Sequence, residues 1–134
     1  MTDAGELLKL QTVLYVEDEE IARASIGTFL RRYVGELLLA ANGREGLDLY
    51  QESRPSVVIT DLEMPIMNGM EMIRRIRALD QSIPIIITTA YDDEVHQCPD
   101  ADRVILKPIL FTNLLQAVQE CLVQRGGGSG GPDQ

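Results

Sequence analysis

Five short apolar runs alternate with longer amphipathic segments along this chain, and this alternation limits its fold more than any other feature. The runs lie at residues 13–16, 37–40, 57–60, 85–88 and 104–106. None of them alternates apolar with polar side chains, which is typical of parallel strands that are covered on both faces. The pattern therefore predicts an open, doubly wound α/β sheet of five parallel strands with helices on both sides.

Helices are predicted between most of the strands. The first helix has four apolar side chains at the spacing of one helical face, namely Ala22, Ile26, Phe29 and Tyr33. Asn42 precedes the second helix as an N-cap, the third begins near residues 68–69, and the last has an apolar stripe over residues 114–122. Residues 91–103 are acidic and lack such a repeat, so we expect the fourth helix to be short or irregular there.

Length and composition predict one folded domain. The 134 residues, of which 45% are hydrophobic, suit a single core between two layers of helices. We assign residues 1–125 to this domain. Residues 126–134 are rich in glycine, so we expect them to be a flexible Gly/Ser linker or a cloning tail.

The charge of the chain limits the kinds of partner it can bind. It has 21 acidic and 12 basic side chains and a formal charge of −9. Because nucleic-acid binding depends on basic patches, we expect this domain to make no nucleic-acid contact and to suit partners with basic patches. The sequence shows no signal-peptide pattern and no apolar run of membrane-spanning length. Its two cysteines have no C-x-x-C spacing and are expected to be ordinary thiols. We therefore expect a cytoplasmic protein without membrane contact.

Three carboxylates are predicted to converge at one edge of the sheet. Asp61 directly follows the third apolar run, and Glu17 and Asp18 directly follow the first. The carboxyl ends of parallel strands meet at a ligand crevice, where a partly buried carboxylate is unfavourable unless something binds it. The arrangement favours a bound cation. Each residue alone has another interpretation, since an acidic residue after a strand is usually a solvated loop residue or a helix cap.

Further motifs follow the remaining strands at the same edge. Met64-Pro65 and Gly69 follow the third run, Thr89-Ala90 follows the fourth, and Lys107-Pro108 follows the fifth. Together with the acidic residues, these motifs resemble the receiver domains of two-component response regulators over residues 10–125. The resemblance implies a flavodoxin-like sheet in the strand order 2-1-3-4-5 and a cis peptide bond before Pro108.

The resemblance also implies roles for the residues that react with phosphate. Asp61 is implied to be the phosphoacceptor. Lys107 is implied to pair with Asp61 in the resting state and with a phosphate oxygen after transfer, and Thr89 to donate its hydroxyl to another phosphate oxygen. Thr88 is the neighbouring candidate, but counting from the flanking motifs favours Thr89.

A magnesium site is implied by the same resemblance. Asp18 and Asp61 would bind Mg²⁺ directly, Glu17 would bind through water, and the backbone carbonyl of Glu63 would supply a further oxygen. Glu17 stands where the family often has aspartate. Its extra methylene leaves open whether it reaches the ion directly.

These roles together imply a phosphorylation-dependent signalling switch. A sensor histidine kinase or a phosphotransfer protein would supply the phosphoryl group, and the domain would change conformation to control a partner or an output domain. It would catalyse only its own phosphorylation and dephosphorylation. We expect it to be a monomer or a weak dimer.

Val104 stands where the family commonly has an aromatic residue. A valine cannot move a ring between exposed and buried positions, so the usual coupling between the threonine and that ring is in doubt.

Two alternatives come from other functional classes. A Mg²⁺-dependent phosphohydrolase with an aspartyl-phosphate intermediate would use Glu63 as a second acid, but the chain has no inserted substrate cap. A flavin-binding electron carrier of similar topology would need a Ser/Thr/Gly-rich phosphate loop after the first strand. This chain has acidic residues at 17–20 instead, and they would repel that phosphate.

Overall fold

Strands and helices alternate in the structure as the apolar runs predict. The structure, a computed structural model, describes residues 4–91 and 98–128. The elements in chain order are α1 (Ala4–Leu8), β1 (Thr12–Val16), α2 (Glu20–Arg31), β2 (Glu36–Ala40), α3 (Gly43–Ser53), β3 (Val57–Asp61), α4 (Gly69–Leu79), β4 (Ile85–Thr89), β5 (Arg103–Leu106) and α5 (Phe111–Gly128).

All five strands are parallel and lie in the order β2-β1-β3-β4-β5. The predicted fold class and strand order are therefore confirmed. The strand order changes direction between β1 and β3. Ligands of such sheets bind at that point, beyond the carboxyl ends of the strands. Val16 lies opposite Thr60, and Asp61 lies opposite Thr88. The residues that follow β1 are thus brought next to the end of β3.

Two clusters of buried side chains lie on opposite faces of the sheet. The first cluster, which includes Tyr15 and Ile59, contains buried residues of α1, α2 and α5. The second cluster, which includes Leu14 and Val58, contains buried residues of α3 and α4. Neighbouring residues of β1 and of β3 therefore enter different clusters, because successive strand side chains point to opposite faces. This double coverage explains why each strand reads as a continuous apolar run.

The observed strands differ from the predicted runs by one residue each. In every strand, the additional residue is polar or charged and lies at one end, namely Thr12, Glu36, Asp61, Thr89 and Arg103. Such residues give no hydrophobic signal, yet their backbones continue the hydrogen-bonded ladder. Two of them, Asp61 and Thr89, are among the residues that the resemblance assigns to the reaction with phosphate, so β3 and β4 end at the predicted site.

The short helix α1 was not predicted. Leu8 is fully buried in the first cluster, and Leu7 packs against that cluster. Five residues are too few to show a helical repeat in the sequence, so only packing reveals this helix.

The last helix extends beyond the predicted domain limit at residue 125. α5 ends at Gly128, while residues 129–134 lie outside the described part. The division into residues 1–125 and 126–134 stays a prediction. None of the helices in the described part of the chain is long and apolar enough to span a membrane.

Arg77 fixes the second half of the connection between β4 and β5. Residues 92–97, which belong to the segment 91–103 where a short or irregular helix is expected, lie outside the described residues. In the described remainder, the Arg77 guanidinium donates to the carbonyl of Asp100 at 2.8 Å and to the carboxylate of Asp102 at 3.0 Å. Asp102 also accepts from the backbone N–H of Ile85 at 2.8 Å. These bonds fix the entry into β5.

Candidate functional site

Three carboxylates meet at the carboxyl ends of β1 and β3. One oxygen each of Glu17, Asp18 and Asp61 lies within 4.8 Å of the others. Glu17 is 1% exposed, Asp61 is partly buried and Asp18 is exposed, so the cluster opens to solvent on one side. The structure therefore brings together the predicted acidic residues. A set of hard oxygen donors with one solvent-facing side fits Mg²⁺, which keeps several of its waters when bound.

Lys107 contributes a positive charge to this acidic cluster. Its ammonium donates to Oδ2 of Asp61 at 3.0 Å and to Oε1 of Glu17 at 3.4 Å. Burial works against the charged ammonium, but these carboxylates outweigh burial and raise the pKa of Lys107. The peptide bond between Lys107 and Pro108 is cis, as the resemblance implied.

Glu17 is held by three donors. Lys107 and the hydroxyl of Tyr15 each lie 3.4 Å from its Oε1, and the backbone N–H of Glu19 donates to its Oε2 at 3.1 Å. Burial nevertheless raises the pKa of Glu17, and the Glu19 N–H and Lys107 only partly oppose this. Burial and the nearby carboxylates likewise raise the pKa of Tyr15. The charge of Glu17 is thus incompletely compensated without a cation.

The contact between Tyr15 and Glu17 was missed by sequence reasoning. A signal was present, since residues two apart on a strand share a face and a buried tyrosine hydroxyl needs a polar partner. Tyr15 is fully buried and its hydroxyl faces Glu17. The polar site therefore extends two residues further into β1 than the acidic pair.

Thr89 ends β4 and is linked to the residues around it. Its carbonyl accepts from the backbone N–H of Lys107 at 2.8 Å, and its hydroxyl accepts from the N–H of Tyr91 at 3.2 Å. Thr88 is fully buried, and its hydroxyl has no hydrogen-bond partner among the described residues. Thr89 is the better connected of the two threonines, although its role stays a prediction.

The loop after Asp61 is shaped by close backbone contacts. Oδ1 of Asp61 accepts from the N–H of Leu62, and the Leu62 carbonyl accepts from the N–H of Gly69, both at 2.7 Å. A side chain at Gly69 would collide with the carbonyl of Asp61, which explains the glycine there. Glu63 is exposed in this loop, directly beyond Leu62.

Comparison with known proteins decides the family. The family model described as response regulator receiver domain matches residues 13–119, which contain every residue of the site. The chain belongs to this family. The resemblance proposed from the sequence motifs is therefore confirmed, and the receiver domain is a signalling domain.

Relatives of this receiver domain include longer proteins. The transcriptional regulatory protein AfsQ1 of Streptomyces coelicolor is 32% identical over 121 residues, which cover 87% of this chain and 53% of AfsQ1. A cyclic di-GMP phosphodiesterase of Thermotoga maritima is 34% identical over 118 residues, which cover 85% of this chain and 32% of that protein. This chain therefore spans about half the length of AfsQ1 and about a third of the length of the phosphodiesterase.

Solved structures agree with the fold. The response regulator protein TrrA of Thermotoga maritima, determined in complex with Mg²⁺-BeF, has a TM-score of 0.79 and 30% identity over 84% of this chain and all of that one. A CheY-like receiver domain protein of Methanospirillum hungatei has a TM-score of 0.81 and 25% identity, over 88% of this chain and 98% of that chain.

Val104 occupies a packed position in this receiver domain. It is partly buried and packs against the second cluster, beside β4 in the sheet. The structure therefore gives Val104 a packing role.

Replacing Glu17 by glutamine is expected to stabilise the metal-free domain at neutral pH. Because the pKa of Glu17 is raised, the folded protein binds this proton more tightly than the unfolded chain does. Wild-type stability should fall as the pH rises from the ordinary glutamate pKa through the raised one, and Glu17→Gln should lack this fall. Chemical denaturation in EDTA from about pH 4 to about pH 8 measures the difference.

The same variant should respond less to Mg²⁺. A cation that binds only the folded state raises the melting temperature by mass action, so we expect a clear rise in wild type and a smaller one in Glu17→Gln. Glu36→Gln is the matched control, since Glu36 is exposed at the start of β2, at the opposite edge of the sheet. If Mg²⁺ raises the melting temperature of all three proteins equally, Glu17 does not contribute to the cation site.

Proposed function

We propose that this receiver domain is a phosphorylation-dependent switch in two-component signal transduction and that Asp61 is its phosphoacceptor. The observation that carries the proposal is the carboxylate of Asp61, which ends a buried strand within 4.8 Å of two other carboxylates and 3.0 Å from the ammonium of Lys107. A carboxylate in such a site can attack the phosphorus of a phosphohistidine, so that an O–P bond forms, the N–P bond breaks and the imidazole leaves, which gives an acyl phosphate on Asp61. The donor is a sensor histidine kinase or a phosphotransfer protein.

Magnesium is proposed as the cofactor. Asp18 and Asp61 would hold it directly, Glu17 would hold it through water, and the backbone carbonyl of Glu63 would complete the protein ligands. The acidic cluster supports this assignment, as does the relative TrrA, which was determined with Mg²⁺-BeF. When bound, the ion neutralises charge on the phosphoryl oxygens.

Lys107 and Thr89 are proposed to hold the phosphoryl group on Asp61. The ammonium of Lys107 already contacts Asp61, so it needs only to exchange a carboxylate oxygen for a phosphate oxygen. The hydroxyl of Thr89 accepts one hydrogen bond, from Tyr91, and its own proton is available to a phosphate oxygen. The backbone bond from Lys107 to Thr89 couples the two residues.

The phosphorylated domain is proposed to control a partner or an output domain by a shift between two conformations. Relatives such as AfsQ1 are transcriptional regulatory proteins, which makes a transcriptional output the first class to examine. The domain itself would catalyse only its own phosphorylation and dephosphorylation. No described feature favours the phosphohydrolase, since Glu63 is an exposed loop residue.

Intact mass spectrometry after incubation with acetyl phosphate and Mg²⁺ tests this function. We expect one stable phosphoryl group per chain, and none when EDTA replaces Mg²⁺. Many turnovers on phosphate esters, with no stable adduct, would support a hydrolase. No adduct and no turnover would contradict both.

A further inference from the structure

Tyr15 places a polar group inside the apolar part of the sheet, two residues before Glu17 on the same face of β1. It is fully buried in the first cluster, and its neighbours in β2 and β3 are Leu39 and Ile59. A phenylalanine would fill this volume without a hydroxyl, and a buried hydroxyl is unfavourable unless it has a hydrogen-bond partner. Within the described part of the chain, that partner is Oε1 of Glu17, at 3.4 Å. The hydroxyl therefore faces the site and not the solvent.

Glu17 is held through both of its carboxylate oxygens. Oε1 faces the hydroxyl of Tyr15 and the ammonium of Lys107, and Oε2 accepts from the backbone N–H of Glu19 at 3.1 Å. An ionised carboxylate can only accept hydrogen bonds, so the Tyr15 hydroxyl is the donor. The three donors come from β1, from the loop after β1 and from the end of β5. Any rotation of the Glu17 carboxylate would therefore break at least one of these contacts.

The other two carboxylates of the acidic cluster are held less completely. The carboxylate of Asp18 is exposed, and it has no hydrogen-bond partner among the residues that the structure describes. Asp61 accepts from the N–H of Leu62 and from Lys107, and its side chain is 13% exposed. Asp18 can therefore turn to fit a cation, whereas Glu17 cannot turn without losing contacts.

A fixed Glu17 suits Mg²⁺ better than Ca²⁺. Mg²⁺ prefers octahedral geometry and keeps several waters, so a carboxylate that it reaches through water satisfies it. Ca²⁺ takes about 6–8 oxygens and often binds a carboxylate through both of its oxygens. Glu17 could bind Ca²⁺ in this way only by turning away from Tyr15 and Glu19.

We infer that Tyr15 is a positioning residue that holds Glu17 and thereby makes the cation site select Mg²⁺ over Ca²⁺. Tyr15 acts through Glu17, because its hydroxyl contacts that carboxylate from the buried side. Without the hydroxyl, Oε1 of Glu17 loses one of its donors and the carboxylate can turn toward an ion. The inference rests on the proposed Mg²⁺ site.

The test compares Tyr15→Phe with Tyr50→Phe. Both substitutions remove a buried tyrosine hydroxyl and keep the ring. Tyr50 is 1% exposed and belongs to the second cluster, on the other face of the sheet, where its hydroxyl accepts from Arg54 at 3.2 Å. Melting temperatures over concentration series of MgCl₂ and of CaCl₂, at constant ionic strength, give an apparent dissociation constant for each ion. The ratio of the two constants measures the preference.

We expect wild type to bind Mg²⁺ more tightly than Ca²⁺. Tyr15→Phe should reduce this preference by about fivefold, mainly through tighter binding of Ca²⁺, because a hydrogen bond to a charged group is lost. Tyr50→Phe should keep the wild-type preference. In a Glu17→Gln background, the Tyr15→Phe substitution should have no further effect on the preference, since an amide cannot bind Ca²⁺ through two oxygens.

Several results would overturn the inference. They are an unchanged preference in Tyr15→Phe, an equal loss of affinity for both ions, and a wild type that does not prefer Mg²⁺. A shift of the same size in the Glu17→Gln background would also overturn it, because Tyr15 would then not act through Glu17. If wild type responds to Mg²⁺ and Tyr15→Phe keeps its preference, only the role of Tyr15 fails. If neither ion raises the melting temperature of wild type, the proposed Mg²⁺ site itself fails.

Discussion

Asp61→Asn is expected to abolish phosphorylation by acetyl phosphate while leaving the fold intact. An amide in place of the carboxylate removes the nucleophilic oxygen. The amide oxygen can still accept from the N–H of Leu62, which bonds to Oδ1 of Asp61 at 2.7 Å, so the local backbone should keep its shape. Intact mass spectrometry with Mg²⁺ should then show one phosphoryl group on wild type and none on the variant.

Asp48→Asn is the matched control for this prediction. Asp48 is 51% exposed on α3 and pairs with Arg44 at 3.5 Å, away from the acidic cluster. The same chemical change there should leave phosphorylation unchanged. If Asp61→Asn still gains one phosphoryl group, digestion and mapping would identify another acceptor, with Asp18 the first to examine. That result would contradict the assignment of Asp61.

The sheet was predictable because its strands are buried on both faces. Residues of β1 and β3 alternate between the two clusters, so both sets must be apolar and each strand appears as an uninterrupted run. The site was predictable for a related reason. Carboxylates directly after such runs, as at Glu17 and Asp61, are expected at the shared carboxyl edge of a parallel sheet. The positions of the carboxylates and the topology of the sheet therefore predict the same site.

The features that escaped prediction depend on contacts between distant or irregular segments. α1 is recognisable only through the burial of Leu8 in the first cluster. The bonds of Arg77 to Asp102 join residues far apart in sequence, and no local pattern indicates them. The left-handed conformation of Ile66 contradicts its own backbone preference, so a local rule gives the wrong expectation there.

Lys107→Met is expected to destabilise the metal-free domain by about 2 kcal/mol. Removing one partner of a buried ion pair typically costs about 3–5 kcal/mol, and we reduce this value because the side chain of Lys107 is 29% exposed. Methionine keeps most of the apolar stem, so lost packing contributes little. The loss arises because the carboxylates of Glu17 and Asp61, which are 1% and 13% exposed at their side chains, lose the ammonium that both of them contact.

The pH dependence of this loss follows from the raised pKa of Lys107. A raised lysine pKa means that the stabilisation is complete below the ordinary lysine pKa and is lost only as the pH rises through the raised value. Urea denaturation in EDTA should therefore show a constant difference between wild type and Lys107→Met from neutral to mildly alkaline pH. Lys9→Met is the control, since Lys9 is exposed and lies outside the site.

Mg²⁺ should narrow the difference between Lys107→Met and wild type. The ammonium and the cation both neutralise the same carboxylates, so the variant, which lacks the ammonium, should gain more stability from Mg²⁺ than wild type does. Phosphorylation by acetyl phosphate should nevertheless stay slow in the variant, because a spherical ion cannot replace the N–H donors that Lys107 would offer to a phosphate oxygen. Equal gains from Mg²⁺ in both proteins would show that lysine and metal act on separate charges.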